Sequence, residues 1–332
     1  MILVVGATGY VGRYLCPYLK EKGFDILATG RSKQVQDFFK NEGVNFQYLD
    51  LSDEKSIASL PVTNLEAVID LSACLAELET PVERFFQVNT LGVQRLLEFC
   101  RINNIKKFIL TSSHKVYNDV NKLIISEADR ISFKGDHSPY IISKIAAENF
   151  VEYYNKDFGL QGIVLRLTGV HGYGEILGHL NADGSYKKST FEIFFENILN
   201  GKDIDVWGNQ EIKRDHIYIK DVLSAIEAAI KTPGAKGIYN IASGVGYSQL
   251  EEAKALIKVF GDENKTHIKL SPEKPGLTRG YIYSIEKAIK ELNWKPKFTD
   301  MVDLYSDYKK EWKIKKYHNY HVINESDRPL TL

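Results

Sequence analysis

The chain predicts an α/β fold in which a doubly wound parallel sheet, helices on both faces, is joined to a smaller, discontinuous α/β lobe. Three observations predict it. Residues Ile2-Leu3-Val4-Val5 are too apolar for a strand with one wet face, and they run straight into Gly6, Gly9 and Gly12. Short apolar runs then alternate with segments of helical periodicity, the pattern of parallel strands joined by crossover helices. The 332 residues also exceed what one core usually fills, so a second packed lobe is expected.

The first strand and its glycines read as a dinucleotide-binding turn of the Rossmann type. Glycine at these three places permits a tight turn, close backbone approach to a pyrophosphate, and close helix packing. The amphipathic run Tyr14, Leu15, Tyr18, Leu19 places a helix directly behind, whose first N–H groups attract phosphate. Gly6, Thr8, Gly9, Tyr10, Val11 and Gly12 are therefore the first expected cofactor contacts, against the alternative of a purely structural glycine turn.

Further strands are expected at 24–30, 46–49, 67–71 and 107–111. Helical periodicity runs through Phe85, Val88, Leu91, Leu96 and Phe99 (81–104), and through Ile141, Ile145, Ala146, Phe150 and Tyr154 (138–158). From Gly172 the texture turns to glycine, asparagine and lysine, and the chain leaves the sheet for a helix at 190–200. A covering helix at 221–230 and a strand at 237–242 bring it back. The expected division is 1–168 plus 213–245 for the dinucleotide domain, 169–212 plus 246–312 for the substrate lobe, and a polar tail at 313–332.

With 43 basic and 43 acidic residues the chain has no global field to hold nucleic acid or an anionic membrane, so small molecules or other subunits are the expected partners. A first strand at residue 2 and the lack of a long apolar run predict a cytoplasmic protein. Cys16, Cys74 and Cys100 form no CxxC or metal-ligand spacing and read as reduced, buried thiols.

Four tyrosines carry lysine at the fourth following position: Tyr18/Lys22, Tyr140/Lys144, Tyr283/Lys287 and Tyr305/Lys309. Such pairs share a helix face, so spacing alone selects none. Only Tyr140 follows a hydroxyl-rich strand end, Thr111-Ser112-Ser113, in the ligand-binding region of the sheet. Together with the glycines, the ordered motifs Asp50-Leu51-Ser52-Asp53, Leu71-Ser72-Ala73, Asn89-Thr90-Leu91-Gly92, Val116-Tyr117, Pro139-Tyr140 with Ser143-Lys144, Arg214-Asp215 before Asp221-Val222, and Tyr239-Asn240-Ile241 complete a pattern. Over residues 1–312 the chain resembles the extended short-chain dehydrogenase/reductases, and among them the NAD-dependent epimerase/dehydratase family of nucleotide-sugar enzymes.

The resemblance implies Tyr140 as acid/base, Lys144 as the cation that lowers its pKa and holds the nicotinamide ribose, and Ser113 as the hydroxyl that orients the reacting oxygen. A phenol is a poor base at neutral pH unless nearby positive charge favours phenolate, so the assignment is chemically coherent. It also implies that Asp50, Leu51, Leu71, Ser72, Ala73 and Asn89 line the cofactor. Roughly 20 residues past the turn, where an NAD enzyme usually carries a carboxylate, stand Arg31 and Ser32. Arg31 can pair with a 2′-phosphate, which favours NADP over NAD, or it can stack on adenine without choosing.

Two departures from the family pattern bear on the reaction. His114 and Lys115 occupy the places where sugar dehydratases carry an Asp-Glu pair, so elimination of water is not expected. Gly169 stands where many sugar-nucleotide enzymes place a substrate-contacting asparagine. On the substrate side the resemblance implies contacts from Ser113, His114, Gly169, the Val206-Trp207-Gly208 segment, Arg214 and Lys274, the last two as diphosphate cations or as ordinary surface ion pairs. His171 and His179 flank the expected substrate entrance, where a lone histidine is usually structural.

The leading function is thus an NAD(P)-dependent epimerase or 4-ketoreductase of a nucleotide-activated sugar. A reductase of a non-nucleotide carbonyl compound and a non-catalytic dinucleotide sensor are the alternatives. Surplus apolar residues on the two long helical segments, Phe86, Val93 and Leu97 on one and Ile142, Val151 and Tyr153 on the other, predict a homodimer through a four-helix bundle, as the resemblance also implies.

Overall fold

The computed structural model describes residues 1–317 except 33–34, 76–79, 133–136, 176–177 and 181–184, with backbone only for 179–180. Its centre is a seven-stranded, wholly parallel sheet: β1 (Ile2–Val5), β2 (Ile26–Gly30), β3 (Asn45–Tyr48), β4 (Ala67–Asp70), β5 (Lys107–Ser113), β6 (Gln161–Leu167) and β7 (Gly237–Ile241). The spatial order is β7-β6-β5-β4-β1-β2-β3, so the chain reverses direction across the sheet between β1 and β4.

Strand periodicity explains why both faces are covered. Ile2, Val4, Ile26, Ala28, Ile69, Ile109, Ile163 and Leu165 enter one buried cluster, and the alternate residues Leu3, Val5, Leu27, Val68, Phe108, Leu110 and Val164 enter another. The first cluster continues into the smaller lobe through Phe191, Phe195, Val206 and Leu256. Outside the central sheet lie a three-stranded sheet, in which 214–218 runs between 169–171 and 246–247, and a parallel pair of Ile204–Trp207 with Ile268–Ser271.

Several expectations need correction. Val93, Leu97 and Val151 are fully buried, because the helices that carry them are packed both on the sheet and on each other. They leave no apolar surplus there. Cys74 is half-exposed, on the loop after β4, while Cys16 and Cys100 are buried. The tail does not begin at 313: the helix Met301–Ile314 is followed by Lys316, paired with Glu42, and by Tyr317, whose ring stacks on Tyr14 at 3.7 Å. Residues 318–332 of that tail lie outside the described residues. No described helix is long and apolar enough to cross a membrane.

Candidate active site

The site gathers at the carboxyl ends of β1, β2, β4 and β5, where the reversal of strand order opens a crevice. Its three glycines answer to three different constraints. Gly6 has φ +74°, and a Cβ on it would lie 2.7 Å from the Ser72 backbone. A Cβ on Gly12 would lie 2.4 Å from Ala7. A Cβ on Gly9 meets only the Gly6 carbonyl, at 3.3 Å, so the glycine there leaves room for something outside the protein's own backbone. The helix Tyr10–Glu21 starts at Gly9 with no side-chain cap and no acidic residue in its first turn, and its positive end faces the crevice. These features fit a dinucleotide pyrophosphate.

The predicted contacts around this turn divide by which atoms are available. Tyr10 turns its ring away, towards Gly172, and its buried hydroxyl lacks a hydrogen-bond partner among the described residues. Val11 packs partly on the core and Thr8 fills the space beside Gly30. Tyr10 and Val11 thus leave their main chain, rather than their side chains, for any ligand at the turn. On the adenosine side, Arg31 is exposed just past β2, and Asp50 accepts from Ser52 N at 2.9 Å and Ser52 Oγ at 2.7 Å. Burial opposes ionisation of Asp50, yet the Ser52 hydrogen bonds with Arg84 and Arg31 hold its carboxyl below the usual range. Arg84, 3.1 Å from Ser52 Oγ, is a cation that the sequence reading missed. Leu51 is buried against Gly92.

The described hydrogen bonds of Asn89 stay within the protein. Its Oδ1 accepts from Cys74 N at 2.7 Å, and its Nδ2 donates to the Cys74 carbonyl at 3.1 Å and to Ser143 Oγ at 3.0 Å. Wholly buried in a π-helical segment, Gln87–Gly92, it ties the loop after β4, with Leu71, Ser72 and Ala73, to the helix that carries Tyr140.

That helix, Pro139–Asp157, is started by the Ser138 cap and a proline in its first turn. Its first turn sets Tyr140 near Ser113, the last residue of β5, close enough for the serine hydroxyl to act on the phenol. Burial pushes the Tyr140 phenol above its ordinary value, and the nearby Ser113 hydroxyl opposes this. Lys144, one turn later, is buried and donates to the carbonyls of Ser72 at 3.2 Å and Thr111 at 3.1 Å. Burial lowers its pKa, while Asp70 and Glu148 act the other way. The Lys144 ammonium thus rests on two carbonyls, one turn along the helix from Tyr140, while the Ser113 hydroxyl opposes the effect of burial on the phenol.

Beside Tyr140 opens a cleft of about 420 Å³ whose lining includes His114, Lys115, Ile141, Arg214, Arg279 and Tyr281. His114 Nδ1 lies 2.9 Å from the Tyr283 hydroxyl, and burial with Lys115, Arg214 and Arg279 pushes its pKa down to about 3, so the ring is neutral. Arg214 donates to the Arg279 carbonyl at 3.1 Å and lies over the Tyr281 ring. Arg279, also missed, donates to the carbonyls of Tyr117, Asn118 and Val120. It stands only five residues beyond Lys274, where the second cation was sought.

Lys274 itself belongs elsewhere, paired with Asp205 at 2.5 Å and lying over Trp207. Val206 is fully buried in the core and Trp207 faces outward, so any contact from this strand falls to the tryptophan or the main chain. Gly169 sits opposite His216, whose ring is 4.6 Å from that of His171, itself 3.5 Å from Glu175. The His179 side chain lies outside the described residues.

Comparison with known proteins agrees with this geometry. Residues 2–242 match the model of the NAD dependent epimerase/dehydratase family. The chain belongs to that family. As a member of this NAD-dependent epimerase/dehydratase family it is an NAD-dependent enzyme of the extended short-chain dehydrogenase type. It is 24% identical to a UDP-glucose 4-epimerase of Halalkalibacterium halodurans, over 98% of each chain. It is 25% identical to the dTDP-4-dehydro-6-deoxyglucose reductase of Escherichia coli, over 89% of this chain and 92% of the other. Among solved structures, the UDP-glucose 4-epimerase of Thermotoga maritima aligns with TM-score 0.73 and 26% identity, over 94% of this chain and 99% of that one.

Proposed function

We propose that the protein moves hydride at the 4-position of a nucleotide-activated sugar, as an epimerase or a 4-ketoreductase, with Tyr140 as the acid/base. The observation that carries this reading is that Tyr140, one turn before the buried Lys144, stands by Ser113 at the end of β5, beside a cleft holding Lys115, Arg214 and Arg279. Bound NAD(P) supplies hydride exchange. Tyr140, protonated at rest because burial raises its pKa, gives a proton to the sugar oxygen during reduction and takes one during oxidation. Ser113 fixes the direction of that oxygen, Lys144 holds the nicotinamide ribose, and Arg214 pairs with the diphosphate.

Arg31 and Arg84 near the end of β2 and β3 support NADP over NAD, because a 2′-phosphate would find two guanidinium groups close by. The division into a dinucleotide domain and a smaller, discontinuous substrate lobe, the assembly as a two-fold homodimer and a cytoplasmic location belong to the same proposal.

The deciding experiment is a thermal-shift screen of UDP, GDP, dTDP and CDP sugars with each cofactor, since selective binding raises apparent stability by mass action. A shift with one nucleotide series is expected. No shift with any of them would turn the reading towards a non-nucleotide carbonyl substrate. Epimerase and reductase then separate by product: an isomer with no net cofactor consumed, or one NADPH oxidised per turnover.

A further inference from the structure

The cations of the cleft do not all serve one purpose. Arg279 is spent on three main-chain carbonyls, and Arg214 is carried on Tyr281. Lys115 is different. Its backbone is held beside the reacting centre, because its N–H donates to Ser113 Oγ at 3.2 Å, and its ammonium lies over the Tyr140 ring, 6.0 Å from the centroid. Among the described residues no carboxylate pairs with Lys115, whereas nearby lobe lysines are matched, Lys213 with Glu251 and Lys274 with Asp205. Among the described residues no acidic side chain lines the cleft.

We infer that the sugar carries a carboxylate on a ring carbon next to the one that reacts, and that Lys115 holds it, an inference that rests on the nucleotide-sugar reading. With the reacting oxygen on Ser113 and Tyr140, an ammonium over the tyrosine ring falls where a substituent of the neighbouring carbon projects. Lys115 is exposed, so water solvates its ammonium in the free protein; a neutral hydroxymethyl group seated there would displace part of that water and offer no charge in return. A carboxylate forms a charge-assisted hydrogen bond instead. The same residue thereby selects an acidic sugar and rejects a neutral one, a discrimination built from both attraction and an unmet charge. The diphosphate does not compete for it, because Arg214 on the Tyr281 side of the cleft takes that role.

The test uses the full-length enzyme with bound cofactor and compares substrates that share a nucleotide: UDP-glucose with UDP-glucuronate, dTDP-glucose with dTDP-glucuronate, GDP-mannose with GDP-mannuronate. The uronate of one pair should be preferred roughly tenfold or more in kcat/KM, mainly through KM. Lys115→Met should bring that ratio close to parity by raising KM for the uronate, and Lys115→Arg should keep most of it. Preference for the neutral sugar, a ratio unchanged in Lys115→Met, or equal weakening of both substrates would overturn the assignment while leaving the nucleotide-sugar reading in place. If no nucleotide sugar of either kind binds, that reading fails and the inference falls with it.

Discussion

Gly169 and His216 face each other in register, and a Cβ on Gly169 would lie 2.9 Å from His216 Nδ1. The glycine is thus the vacancy into which the imidazole fits. Gly169→Asn should cost about 1–3 kcal/mol of stability by overpacking. Most of that loss should be recovered in Gly169→Asn/His216→Ala, measured by denaturant unfolding. Simple additivity of the two substitutions would show that they do not compete for space.

The sheet was legible because each parallel strand is apolar on both faces, and strand and helix periods alternate without ambiguity. What period cannot show is a side chain's use of its polar atoms. Asn89 reads as a cofactor residue, yet all its described bonds go to Cys74 and Ser143, and the π-helical turn it stabilises interrupts a segment that reads as one helix. Arg84 and Arg279 reach their places through tertiary packing across many intervening residues, so no local spacing marks them. Val93, Leu97 and Val151 look superfluous on helices imagined with one buried face, but those helices pack on two.

Tyr140→Phe removes the proton and keeps the ring, so it should leave cofactor affinity largely intact while lowering turnover by about a hundredfold or more. Lys144→Ala should damage both. It deletes the proposed ribose contact and leaves the carbonyls of Ser72 and Thr111 without their donor. Full activity in Tyr140→Phe would remove it from the chemistry.

NADP should bind more tightly than NAD, and Arg31→Ala should narrow the gap, in calorimetric titrations of both cofactors against both proteins. Equal affinities in the parent would mean that Arg31 serves the adenine, and that Arg84 remains occupied with Ser52 and Asp50.

His114 gives a pH dependence of definite sign. Burial and three nearby cations depress its folded pKa to about 3, below the 6.5 of a free histidine, so the unfolded chain binds the proton more readily. The stability it contributes is complete above pH 6.5 and is lost as pH falls through the window down to about 3. Between pH 6.5 and 5 the parent should lose about 1–2 kcal/mol relative to His114→Gln. Parallel stability curves for the two proteins over that range would contradict a buried neutral imidazole.

The assembly proposal takes a narrower form. With Val93, Leu97 and Val151 committed to the core, the outward apolar residues include Leu91 at 45% exposure, Ile142 at 43% and Tyr153 at 49%. Ile142, Ala146, Asn149 and Tyr153 follow one another at helical spacing and line a groove of about 670 Å³ along the helix Pro139–Asp157. A stripe of this kind beside the helix Val93–Ile102 suits a two-fold contact, in which each helix pair meets its symmetry mate as a four-helix bundle. Light scattering at micromolar concentration should give the mass of a dimer, and Ile142→Glu with Tyr153→Glu should halve it, because two charges per subunit would then be buried unpaired at the axis. A strict monomer in the parent would rule out the dimer. A dimer indifferent to both charges would place the contact on another face and leave this stripe to the solvent.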